Sequence, residues 1–123
     1  MSQADPAQAR KLTPMRPVLF EILLLLNEHD LHGYGIMTVL KERKEGRFIL
    51  GPGTLYRTLK EMKEMGLIEP AGRRSAAELN NQRRQYYSIT PFGCRVASAE
   101  AQRMARLVQT ADLGGLLSDA ENR

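Results

Sequence analysis

With 123 residues, the chain has room for one domain with a modest core and not for two. Its residues are 42% hydrophobic and 26% charged, and 6% aromatics with no Trp leave the interior to Leu, Ile, Met and Val. Eighteen Lys and Arg against 14 Asp and Glu give a net charge of +4 and a pI near 9.5, which admits anionic partners without requiring them.

Residues 1–12 are polar and alanine-rich with no apolar period, so a flexible tail is expected there. They include no apolar signal core, which points to a cytoplasmic protein. Thr13, Pro14 and Pro17 then lead into a first helix over Arg16 to Glu28, apolar nearly all round and therefore buried on several sides. Its apolar runs, Val18 to Phe20 and Ile22 to Leu26, are split by Glu21 and fall far short of the roughly 18–20 residues that span a bilayer. No membrane partner is expected.

Leu31, Tyr34, Met37, Val39 and Leu40 give a second, shorter helix an irregular apolar face, with Gly46 as its stop. Gly33 and Gly35 near its start are expected to let it approach the first helix closely. A third helix spans Pro52 to Met65. Leu55, Leu59 and Met62 fall within about 60° of one another at 100° per residue and form its core stripe, and Gly66 ends it. Leu67-Ile68-Glu69 and Arg84 to Ile89 are short, rich in Tyr and Ile, and bounded by Pro, Gly or Arg clusters, so they are expected to pair as a β-hairpin across a long loop.

From Pro91 to about Ala111, with Thr90 as N-cap, the residues Cys94, Ala97, Ala101, Met104, Val108 and Ala111 recur at spacings of 3 and 4, a seam of coiled-coil type. A seam of small residues on so small a domain suggests pairing with a second copy. Gly114-Gly115 breaks the helix, after which Leu113, Leu116 and Leu117 are expected to fold back. Cys94 is the single cysteine, which excludes an internal disulfide and a multi-Cys metal site.

Three helices followed by a hairpin describe a winged helix-turn-helix: mainly α with a small β-hairpin, plus a C-terminal dimerisation helix. The expected division is a tail over 1–12, the winged helix-turn-helix over 13–90, and the dimerisation helix and tail over 91–123. Charge placement agrees. Lys41 to Arg84 holds eleven Lys and Arg against six Asp and Glu, a balance of +5 that exceeds the +4 of the whole chain. On the third helix, opposite the core stripe, lie Thr54, Arg57, Lys60, Glu61 and Glu64, flanked by Tyr56 and Lys63.

Arg57 is the candidate base reader, because a guanidinium can donate two hydrogen bonds to guanine O6 and N7. Thr54 suits a phosphate or a thymine methyl, and Lys60 and Lys63 suit phosphates. Gly51, Pro52 and Gly53 would bring the unpaired N–H groups of the helix start close to a phosphate. Arg73, Arg74, Arg83 and Arg84 close the two ends of the long loop, where a wing would meet backbone or minor groove. The partner so described is double-stranded DNA. The competing reading is a ligand-sensing or protein-interaction module that keeps the fold without reading DNA, and acidic Glu61 and Glu64 are its best support.

Catalysis has no visible machinery: no paired carboxylates, no Ser/His/Asp set and no GxxxxGK[ST] loop stand out. His29 and His32 are spaced i, i+3 without carboxylates or thiols to complete a metal shell, so no metal and no cofactor are expected, and His32 is assigned to hydrogen bonding at the second helix's start.

Leu31 to Gly35 (LHGYG), Gly51 to Glu69 (GPGTLYRTLKEMKEMGLIE) and Arg83 to Gly93 (RRQYYSITPFG) together resemble the PadR family. The resemblance covers roughly Pro17 to Gly93 and implies a homodimeric bacterial transcriptional regulator, usually a repressor, whose C-terminal helix pairs with its mate on a palindromic operator. The family's SPGTLYP motif carries Ser where this chain has Gly51, which removes a side-chain cap, and Pro or another residue where it has Arg57. The short C-terminal part resembles the subfamily with one main dimerisation helix. Family members respond to phenolic acids or other aromatic or drug-like effectors; here the effector site is unknown, with Phe20, Tyr34, Met104 and Leu107 as the residues considered for a pocket lining.

Overall fold

Leu19, Ile22, Leu23, Leu25 and Leu26 are all buried in helix α2 (Pro17–Glu28), the centre of the core in the computed structural model, which describes residues 6–43, 50–72 and 85–118. As its composition requires, this helix is covered on several sides; Leu24, at 40% exposure, is the large aliphatic it leaves open. The order is α1 (Pro6–Lys11), α2, β1 (Leu31–His32), α3 (Gly33–Arg43), α4 (Pro52–Glu64), β2 (Ile68–Ala71), β3 (Tyr86–Ile89) and α5 (Pro91–Leu113).

Two elements depart from the sequence expectation. Residues 6–11 are not a loose tail but a helix. Its Ala9 is buried, and the Met15 that follows joins the same core. A six-residue helix is too short to be stable alone, so packing against α5 holds it. The sheet has three strands rather than the two of a hairpin, in the order β1-β3-β2, with both pairings antiparallel. The extra strand is the dipeptide Leu31–His32, paired to Tyr87 and Tyr86. Pro70 is tolerated in β2 because that strand is an edge.

The turn out of α4 forms a Schellman motif. Gly66 has φ 79 and donates from its N–H to Lys63 O, while Leu67 N–H donates to Met62 O. Thr90 then locks this turn to the start of α5. Its Oγ1 donates to Gly66 O and accepts from Gly93 N–H, and its own N–H donates to Leu67 O. Gly93 has to be glycine, since a Cβ there would lie 2.2 Å from Leu67 O.

Close approach also explains Gly33, although its partner differs from the one expected. A Cβ on Gly33 would meet Tyr56 Cε1 at 2.6 Å, so the contact is with α4 and not with α2. His32 caps α3 as expected, its Nδ1 accepting from Gly35 N–H at 2.7 Å. Gly46, the expected stop of that helix, lies outside the described residues.

The first half of α5 buries Phe92, Gly93, Val96, Ala97 and Glu100. Glu100 is only 2% exposed, yet it is fully partnered: Arg103 Nε and Nη2 donate to its two oxygens, and Met15 N–H donates to Oε2. The Arg103 guanidinium holds the Glu100 carboxyl below its usual range, overcoming the opposing effect of burial, and the Met15 N–H adds to the lowering.

At 23 residues α5 is about 35 Å long at 1.5 Å per residue and runs on past the core. Met104, Leu107 and Val108 continue the buried face but are 42%, 57% and 52% exposed. A second Schellman motif ends the helix, with Gly115 at φ 81 and Leu116 N–H donating to Ala111 O. Leu113, Leu116 and Leu117 do not fold back onto the core; they are 84%, 62% and 56% exposed.

Candidate nucleic-acid interface

α4 presents two chemically distinct faces. Leu55, Leu59 and Met62, with Thr58 beside them, are buried. Gly53, Thr54, Arg57, Lys60, Glu61, Lys63 and Glu64 are exposed, and Tyr56 is half-buried at the boundary. The helix begins at Gly51 with no side-chain cap, as the departure from Ser implies, so the N–H groups of its first turn have no intrahelical acceptor and no capping side chain.

The arginine of this face is oriented. Arg57 Nη2 donates to Thr54 Oγ1 at 3.1 Å, and its Nη1 lies 3.6 Å from where a Gly53 Cβ would stand, so the guanidinium reaches back over the helix start. Gly53, Tyr56, Arg57, Lys60, Lys63 and the acidic Glu64 line one open concavity of about 620 Å³, together with Tyr87 of β3. Burial raises the Tyr87 hydroxyl pKa, with Tyr56 adding to it, so Tyr87 offers a neutral donor.

Tyr87 was not singled out as a site residue from sequence, because the register that brings it beside α4 exists only in the sheet. Glu61, which argued against an anionic partner, is neutralised by Arg16 Nη2 at 2.6 Å. Both side chains are about half exposed, so the pair matters for local charge more than for stability. Arg73, Arg74, Arg83 and Arg84 lie outside the described residues.

Of the expected seam on α5, Ala97 is packed inside the chain's own core and Ala111 is half-buried, whereas Cys94, Ala101, Met104 and Val108 are exposed. Leu107, also exposed, belongs with the last two and was not included in the seam. None of Phe20, Tyr34, Met104 and Leu107 lines the concavity on α4. Among the described residues no three His, Cys, Asp or Glu converge, and no helix is long and apolar enough to cross a membrane.

This arrangement has known counterparts. The model of the PadR-like family of transcriptional regulators matches residues 22–99, a span that contains α4, the whole sheet and the start of α5. The chain belongs to the PadR-like family. A transcriptional regulator from Clostridium thermocellum shares the fold, with a TM-score of 0.59 and 24% identity over 83% of this chain and 90% of that one. An uncharacterized 37.1 kDa protein in transposon TN4556 of Streptomyces fradiae is 31% identical over 86 residues, 70% of this chain. The chain spans 22% of that relative's length. Membership identifies a transcriptional regulator of the PadR-like type, with α4 set beside a three-stranded sheet.

Proposed function

We propose that this PadR-like protein binds double-stranded DNA in sequence-specific fashion as a homodimer, with α4 in the major groove. The observation that carries the reading is the concavity in which Arg57, Lys60 and Lys63 converge with Tyr56 and Tyr87 on the solvent face of α4. Arg57 reads a guanine edge, Thr54 and the open N–H groups at Gly53 and Thr54 meet a phosphate, and Lys60 and Lys63 neutralise the backbone. Arg73, Arg74, Arg83 and Arg84 reach flanking backbone or minor groove from the wing. Glu61 is held by Arg16, which weakens one of the two acidic residues that favoured a module without DNA binding; Glu64, the other, lines the same concavity with no such partner among the described residues.

Dimerisation through the uncovered face of α5 would place two copies of α4 on half-sites about one helical turn apart, on a palindromic operator. Repression, relieved by a small aromatic or drug-like effector, is the family's usual mode and is extended here to this chain. Fluorescence anisotropy with operator fragments selected from genomic DNA tests the reading. Arg57→Ala should lose about 10- to 100-fold in operator affinity and little on random DNA, as expected for about 1–3 kcal/mol of base discrimination. Equal, salt-insensitive binding of the unmodified protein to all DNA would overturn it.

A further inference from the structure

α1 and α5 enclose a second concavity, of about 350 Å³, that shares no residue with the one on α4. Its lining includes four arginines, Arg10, Arg95, Arg103 and Arg106, and, among the described residues, no carboxylate. Arg95 and Arg106 lie on the side of α5 opposite Met104 and Val108 at about 100° per residue, while Arg103 sits nearer Leu107 at the border. The cluster therefore belongs neither to the DNA-reading face nor to the proposed dimer seam.

The four guanidinium groups are not equally committed. Arg103 is engaged with Glu100, and Arg95 Nη1 donates to Pro91 O at 3.0 Å. The side chains of Arg10 and Arg106 have no hydrogen bond or ion pair among the described residues. Three positive charges thus line one hollow without a counter-charge among its described residues, an arrangement that repels itself until an anion enters. Each guanidinium presents a fork of donors that matches a carboxylate or phosphate edge. Ala9 and Ala99 supply small apolar contacts, and the volume is that of a small-molecule site.

We propose that this concavity binds a compact organic oxyanion carrying two or more negative charges, of the phosphate-ester or di- and tricarboxylate class, gripped by Arg10, Arg95 and Arg106. Its occupant bridges α1 to α5 and so stabilises the folded chain.

Isothermal titration calorimetry and thermal melting of the full chain, with citrate and with inorganic pyrophosphate as probes at a fixed ionic strength of about 0.15 M, test the site. At least one probe should saturate at one per chain and raise Tm, and which one does so assigns the carboxylate or phosphate class. Arg10→Gln with Arg106→Gln should weaken that binding at least tenfold while the unliganded protein melts no lower than wild type, because a repulsion has been removed. Ala99→Glu, which supplies an internal carboxylate, should abolish the titration and raise the unliganded Tm. A control pair, Lys60→Gln with Lys63→Gln, should bind the probe as wild type does. The proposal is overturned if neither probe saturates, if the control pair loses as much affinity as the arginine pair, or if random DNA displaces the probe and the arginine pair loses DNA affinity to the same extent. The last result would make a DNA phosphate row the occupant.

Discussion

At residue scale, Gly93 and Glu100 show how much of this fold rests on single positions of α5. A Cβ at residue 93 would overlap Leu67 O, and neither backbone segment can yield without opening the Thr90 junction. Gly93→Ala should therefore cost about 1–3 kcal/mol or more, read as a lower urea midpoint. Glu100 makes stability depend on pH. Its folded pKa is lowered, first by the Arg103 hydrogen bond, so the stability it contributes is fully present above its ordinary value of about 4.5 and is lost as pH falls through the depressed folded value. Urea midpoints measured from neutral to acid pH should fall along that limb in wild type, and Glu100→Gln should start lower at neutral pH and show a flatter limb. Sequence alone gave Glu100 no role, because an isolated Glu on a helix is ordinarily solvated; only packing brings Met15 N–H to it. Arg57 was legible because chemistry and helical position agree, whereas its tie to Thr54 needed coordinates.

At the scale of elements, caps and stops explain why the helices end where they do. Thr90 followed by Pro91, and Gly66 after Met65, are signals that mean the same thing in most contexts, and both were realised. Thr90→Ala removes the cap of α5 and the bond to Gly66 O together, and should cost about 1–2 kcal/mol in thermal unfolding. Gly51 offers the opposite experiment. It caps α4 without a side chain, at an ordinary φ of −66, and nothing stands within 4 Å of where its Cβ would be. Gly51→Ser should raise stability by a few tenths of a kcal/mol, and a fall in Tm would show that the capping geometry assumed for α4 is wrong. The two elements the pattern did not reveal, α1 and β1, are six and two residues long, too short to carry a period. Both exist because a neighbour, α5 or β3, supplies what local propensity does not.

For the whole molecule, the uncovered strip of Met104, Leu107 and Val108 is the feature that most demands a partner, since the same helix face is buried wherever the chain's own core reaches it. Leu107→Asp with Val108→Asp should convert the proposed dimer to a folded monomer in light scattering, because these residues lie beyond the intramolecular core. The same variant should lose most operator affinity, since each copy then holds one half-site.

The sequence by itself determined the three-helix and wing pattern, the polarity of α4 and the extent of α5, because these follow from periodicity, caps and charge that act within a few residues. Only the tertiary structure decided that Tyr87 faces α4, that Arg16 neutralises Glu61, that Gly33 yields to Tyr56, and that four arginines from α1 and α5 meet around one hollow. Each of these joins residues distant in the chain or on separate elements, and such contacts are set by how the core packs rather than by any local preference.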